Sequence, residues 1–346
     1  MSEERKWKDI LLKSGLPLEY LVAAKLRIKE CTIMGEFAYL RPNEKGIDTE
    51  FSVDIWSLRP YLKGTNDLWG MLHLLVECKY CHPNVRWVFT PHSKTDIEQE
   101  LDMEVVHAMD HICTRMIWNR QPLRKLRHQF PMCIKGVELL PNSSTTENID
   151  RGKAQLVHGL PKLVAHAVDG QALVSHDEDL KIDLFSGILV TTAPLFLLKH
   201  GLTLKGFTDA QQLTDVADEV PALILSTRYS HLFTRYVGKI ISSLYNEHLD
   251  IKPRLNRLSV LSGKASITPG ISANIEFDFF IRGISDHILV VNYNHLDSIV
   301  DKLHATILEV GGTLKKVGVF RKDMTTGEFR IDPVPTGGEK GSEGNS

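Results

Sequence analysis

The sequence predicts an α/β fold, on three observations. Two apolar runs, Phe51-Ser52-Val53-Asp54-Ile55-Trp56 and Leu74-Leu75-Val76, read as strands. Two long segments, Tyr229 to Leu249 and Leu296 to Val310, repeat apolar residues at the i, i+3, i+4 spacing of amphipathic helices. The first half reads as a helix, three strands, a helix and a strand, an α-β-β-β-α-β order.

Pro17 suits the first turn of a helix and Glu19 its electropositive end, with Leu18, Leu21, Val22 and Leu26 on one face. Strands at about 32–40 and 47–57 flank Arg41-Pro42-Asn43-Glu44-Lys45-Gly46, which is rich in turn formers. A third strand runs from 71 to 80. Residues 82–145 lack sheet periodicity, and Asp96 to Arg127 reads as helical, an insertion at about 90–145. Asn148 to Val168 reads as helical with a break at Gly159 and Pro161. Asp183 to Leu198 is a buried strand or strand pair. Further on, Ile275 to Arg282 and Ile288 to Tyr293 read as strands joined by Gly283-Ile284-Ser285-Asp286, and Phe320 to Ile331 as a last strand pair. The expected organisation is residues 1–204, an α+β region at 205–332, and a disordered tail at 333–346.

A chain of 346 residues can bury one large core or two modest ones. Its net charge of −2 gives no support to wholesale coating of nucleic acid and leaves room for a local basic groove. Arg115, Arg120, Arg124, Lys125 and Arg127 make the most basic stretch, with Trp118 interleaved. It is a solvated helix face or a surface that tracks phosphates. No apolar run is long enough to span a bilayer, and the N-terminus leads into no hydrophobic signal core, so a cytoplasmic protein without membrane contact is expected. The five cysteines are read as reduced and buried; Cys78 and Cys81 form a C-x-x-C without partners at zinc-knuckle spacing.

The chemistry concentrates at Glu77-Cys78-Lys79. On a strand, Glu77 and Lys79 share one face while Val76 and Cys78 enter the opposite layer. A carboxylate and an ammonium at the end of a buried strand are costly unless they serve something. Asp54 from a neighbouring strand completes a small oxygen cage suited to Mg²⁺ or Mn²⁺, with a lysine beside it. Such a metal could polarise a phosphate and activate water while Lys79 steadies the developing charge.

Asp54 followed by Glu77-Cys78-Lys79 resembles the PD-(D/E)xK signature of the restriction-endonuclease-like nucleases. The upstream Gly15-Leu16-Pro17-Leu18-Glu19-Tyr20 helix and the Met34-Gly35-Glu36-Phe37-Ala38-Tyr39 strand resemble the branch of type IV restriction enzymes and archaeal Holliday-junction resolvases. The sequence departs from the pattern at Val53, where the family name has proline. The resemblance covers roughly residues 14 to 200. It implies a restriction-endonuclease-like αβββαβ core and a metal-dependent nuclease acting on DNA in defence or repair. Asp54 and Glu77 would bind the metal, Lys79 would act on water, and Glu19 and Gln155 would shape the surroundings, with Lys153 a second helix candidate. Since many relatives dimerise to cut two strands, a homodimer fits, and the C-terminal half is a candidate for contacting a protein partner. The competing reading is the same fold used without catalysis, for nucleic-acid binding or assembly.

Other chemistries find little support. His107 and His111 lie four apart on an expected surface helix, but the glutamate of the zincin motif is absent. Neither a phosphate-cradling glycine loop nor a serine-nucleophile elbow is present.

Overall fold

The apolar strands associate into a large mixed sheet in a computed structural model that describes residues 3–43, 45–62, 68–93, 104–110, 114–117, 121–173, 180–227, 230–247, 280–312, 315–322 and 329–333. Helices α1 (Glu3–Lys13) and α2 (Leu16–Ile28) precede strands β1 (Thr32–Pro42), β2 (Asp48–Leu62) and β3 (Leu68–Lys79). Then come β4 (Arg86–Pro91), β5 (His107–Asp110), β6 (Thr114–Ile117), α3 (Gln121–Arg127), β7 (Met132–Leu140), β8 (Ser143–Thr145) and the long helix α4 (Glu147–Leu173). After it run β9 (Leu180–Thr191), β10 (Leu195–Leu198), α5 (Leu204–Asp209), α6 (Leu213–Val216), β11 (Ala217–Val220) and β12 (Ala222–Ser226). Last among the described residues come α7 (His231–Glu247), β13 (His287–Asn292), α8 (Leu296–Gly312), β14 (Lys315–Lys322) and β15 (Phe329–Pro333).

β1, β2 and β3 form an antiparallel meander, and β9 lies parallel to β3 along its whole length, after a crossover that contains α4. The large sheet continues from β9 through β13, β12, β7, β4 and β10 to β11; β5 adds to β9 and β8 to β7, giving twelve strands among the described residues. Strands β12 and β13, from beyond residue 204, thus lie within the sheet between β9 and β7. Their near-continuous apolar sequences, such as Ile288-Leu289-Val290-Val291, suit central strands covered on both faces. A second sheet pairs β6 with β14 and β14 with β15.

Two apolar layers cover the large sheet. On one face, Leu75 and Val53 pack with Leu156, Leu160 and Val164 of α4 and Val237 and Ile240 of α7. On the other, Leu74, Val76 and Cys78 pack with Leu18, Val22 and Leu26 of α2, Leu123 and Leu126 of α3, and Ile299 and Leu303 of α8. Lys25 and Lys29 of α2 pair with Asp297 and Asp301 of α8. Among the described residues no helix is long and apolar enough to cross a membrane.

Several sequence expectations need correction. Helix α4 does not break at Gly159 and Pro161 but runs on to Leu173. Proline removes the N–H that would bond the carbonyl four residues back, here that of Val157. The buried Ser285 hydroxyl donates to that carbonyl at 2.8 Å and satisfies it from outside the helix. Within the supposed helix from Asp96 to Arg127, the described residues form β5, β6 and the short α3. His107 therefore lies on a strand, while His111, Trp118 and Arg120 lie outside the described residues. Of the two readings of Asp183 to Leu198, the structure has two strands, β9 and β10, rather than one. Residues 280–283 are helical and lead into β13, so the expected hairpin there is not formed; the rest of that expected strand and the tail from 334 lie outside the described residues.

Candidate active site

The site begins with a fault in the β1–β2 ladder. Gly35 pairs with Trp56 and Phe37 with Val53, so the single residue Glu36 faces two residues, Asp54 and Ile55. The extra residue is a β-bulge, a device that re-aims side chains next to functional sites. Its effect shows in the packing: Val53 enters the α4 layer, whereas Ile55, two positions on, enters the α2 layer. In an unbroken strand both would face one way. Gly35, at φ +112, takes up the backbone irregularity on β1 without steric penalty. Asp54 is left at the bulge, and its carboxylate accepts the Cys78 N–H at 2.7 Å.

Strand β3 supplies the other groups. Glu77 is completely buried and faces the α4 layer, as Leu75 does. Its Oε1 accepts from the Lys79 amine, and its Oε2 receives the Asp54 N–H at 3.4 Å. Helix α4 holds the lysine from above: Gln155 Oε1 accepts from Lys79 Nζ at 3.1 Å while Gln155 Nε2 donates to the Ser52 carbonyl at 2.8 Å. Both ends of the amide are thereby fixed. The helix comes this close because residue 152 is glycine; a Cβ there would stand 2.6 Å from Leu189 Cδ1 and 3.3 Å from Lys79 Cε. Lys153 turns elsewhere and pairs with Asp150 at 2.8 Å.

Glu19 approaches from the α2 layer. It sits in the first turn of α2 behind the left-handed Gly15, and its Oε1 lies 3.0 Å from where a Gly15 Cβ would be. The carboxylate thus folds over the helix N-terminus, which favours its charge, and it is also close enough to feel Asp54 and Glu36. Burial raises its pKa first, and Asp54 and Glu36 add to the rise, which Lys79 opposes. Asp54 is raised in the same way, burial outweighing the Cys78 N–H, Lys79 and Arg151. Glu77 is pushed up to about 8 by burial and then by Asp54, against the pull of Lys79. Four carboxyl groups share too little positive charge, and the most deeply buried one retains a proton near neutrality.

That excess of acid around the buried Glu77 is a chemical fit for a divalent cation. Mg²⁺ takes one or two carboxylates and keeps several waters, and a cation between Asp54 and Glu77 would stand in for the proton on Glu77. Among the described residues, no three His, Cys, Asp or Glu side chains are gathered in a ready metal cage. Cys78 and Cys81 pack in different layers and do not converge. Burial holds the Cys78 thiol well above its usual range and pushes Cys81 up to about 11.

The basic stretch reads differently once folded. Arg127 is buried, with a guanidinium nitrogen 3.3 Å from Met132 Sδ, so it is not a phosphate contact. Arg124 and Lys125 are exposed on α3, which packs in the layer opposite α4; Lys125 Nζ lies 3.8 Å from Glu309. Arg115 falls on β6, and Arg120 lies outside the described residues. Sequence reasoning passed over two groups that the fold brings up to Asp54, namely Glu36 across the bulge and Arg151 on α4. A glycine inside a strand pattern, Gly35, was the available sign of the bulge. Comparison with protein-family models, with curated proteins and with solved structures gives no match.

Proposed function

We propose that the chain is a metal-dependent nuclease that hydrolyses phosphodiester bonds, with DNA the favoured polymer. The observation that carries this reading is the cluster of Asp54, Glu77, Lys79 and Gln155 at a strand bulge, a half-buried and a fully buried acid beside a lysine held from two sides. The succession α2, β1, β2, β3, α4, β9, with β9 parallel to β3, supports a restriction-endonuclease-like core. Asp54 and Glu77 would hold Mg²⁺ or Mn²⁺, which supplies Lewis-acid polarisation of the phosphate and a more acidic bound water.

The remaining work falls to the protein. Water oxygen bonds to phosphorus as the bond to the leaving sugar oxygen breaks, the water giving up one proton and the leaving oxygen taking one from solvent. Lys79, oriented by Gln155 and Glu77, aligns that water and offsets charge building on the phosphoryl oxygens. Gln155 is a positioning residue, tying Lys79 to the backbone of β2 through Ser52. Glu19 adds negative charge from the α2 side and favours cation binding. A second reading, a non-catalytic module of the same architecture, has one observation in its favour: the closed Glu77–Lys79 contact is also what a purely structural pair looks like.

Lys79→Ala separates the two. Under the nuclease reading, cleavage in Mg²⁺ falls by about 100-fold or more, while Mn²⁺ binding followed by calorimetry persists. Cleavage at the parental rate would remove Lys79 from the mechanism. Absence of cleavage by the parent across DNA and RNA, with nucleic-acid binding retained, would favour the non-catalytic module.

A further inference from the structure

We propose that Arg151 is a substrate-binding residue that seats a backbone phosphate of the nucleic acid across the Asp54–Glu77 site. The inference rests on the nuclease reading and deepens it by assigning the contact that carries the polymer's charge. Arg151 and Gln155 are one turn apart on α4, at the i, i+4 spacing that puts two side chains on the same stripe, about 6 Å apart along the axis. Gln155 fixes the direction of that stripe, because its amide holds Lys79. Gly152, adjacent to Arg151, lies against Leu189 and Lys79, so the first turns of the helix rest on the site itself.

Arg151 is exposed, and among the described residues it makes no hydrogen bond or ion pair. Its one recorded interaction is the electrostatic influence on Asp54. Two cations beside it on this face are committed: Lys79 to Glu77 and Gln155, and Lys153 to Asp150. The N-terminus of α4 is no alternative anchor, since the buried Glu138 already takes the Asn148 N–H at 2.6 Å and its amide at 2.8 Å. The site around Arg151 is strongly acidic and would repel a phosphate backbone unless a cation met it at the rim. An unengaged guanidinium, with its planar fork of donors, is suited to that contact.

The test is fluorescence anisotropy of a labelled DNA duplex and its single strand in EDTA, where binding is read without cleavage, over a series of salt concentrations. Arg151→Ala should weaken binding by about tenfold at low salt and flatten the slope of log K against log salt by about 0.9 on duplex, whatever the sequence. Arg151→Lys should restore most of the slope, and Lys153→Ala should change neither quantity. Thermal melts of both arginine variants should match the parent, since the side chain is exposed. Unchanged affinity and slope in Arg151→Ala, with the parent binding DNA, would overturn the inference and leave the nuclease reading standing. Failure of the parent to bind either DNA or an RNA of the same sequence would overturn the inference, and failure to cleave either polymer in Mg²⁺ or Mn²⁺ would overturn the nuclease reading beneath it.

Discussion

Glu77→Gln exchanges the buried acid for its neutral isostere and tests how the site is held without metal. In the folded chain Glu77 is fully buried and its pKa is pushed from 4.5 to about 8, first by desolvation and then by Asp54. The native state therefore keeps a proton that the unfolded chain gives up at about 4.5. A group raised in this way contributes stability below its unfolded pKa, and that contribution is lost as pH rises towards the folded pKa. At about 1.4 kcal/mol per unit, the parent should lose roughly 3 kcal/mol between about pH 5 and pH 8 from this one group. The glutamine variant has nothing to ionise at that position. Urea unfolding in EDTA, analysed at constant m, should therefore show the variant gaining on the parent by roughly 3 kcal/mol across that range. Mn²⁺ should reverse the comparison at the alkaline end by binding the ionised acid of the parent alone. Parallel stability curves for the two proteins would show that Glu77 is not protonated in the fold, and the electrostatic argument for a cation would fail with it.

Gly152→Ala should destabilise the chain by about 1–3 kcal/mol, because the added methyl meets the buried Leu189 at 2.6 Å. It should also slow cleavage by displacing Lys79; unchanged unfolding midpoints in denaturant would show that α4 has room to move. His287 is buried beside Arg127 and His92, and burial, then those two charges, push it down to about 4 from 6.5. It stays neutral in the fold while the unfolded chain protonates, so its contribution is present above 6.5 and is lost as pH falls towards 4. His287→Asn should flatten the acid limb of the stability profile by up to about 3 kcal/mol; an unchanged limb would contradict the burial argument.

What the sequence disclosed was local, and what it concealed depended on distant partners. Alternation at Leu74 to Lys79 is enough to put Glu77 and Lys79 on one face, and the structure adds the helix that Lys79 meets there. The bulge at Asp54 cannot be read from β2 alone, since it is a mismatch between β2 and β1, flagged only by Gly35. Strands β5 and β6 were read as helix because their hydrogen-bond partners are β9 and β14, far away in the chain. Pro161 looked like a break because its remedy, Ser285, lies 128 residues from the carbonyl it serves. The basic stretch was misleading for the same reason: charge along a sequence does not say that Arg127 is buried or that Arg124 and Lys125 belong to the other layer. Arg151, with no basic neighbour in the adjacent turn but Lys153, carries no sequence signal and is found only by its place on the stripe of Gln155 and its electrostatic effect on Asp54.

The most direct measurement is cleavage of a panel of duplex, single-stranded and branched DNA together with RNA, in Mg²⁺, Mn²⁺ or EDTA, by the parent and by Asp54→Ala. The site described here should cut at least one polymer in the presence of metal, stop in EDTA, and lose activity in the Asp54→Ala protein while its melting curve stays cooperative. Cleavage that persists in EDTA or in Asp54→Ala would place the chemistry elsewhere and contradict the account.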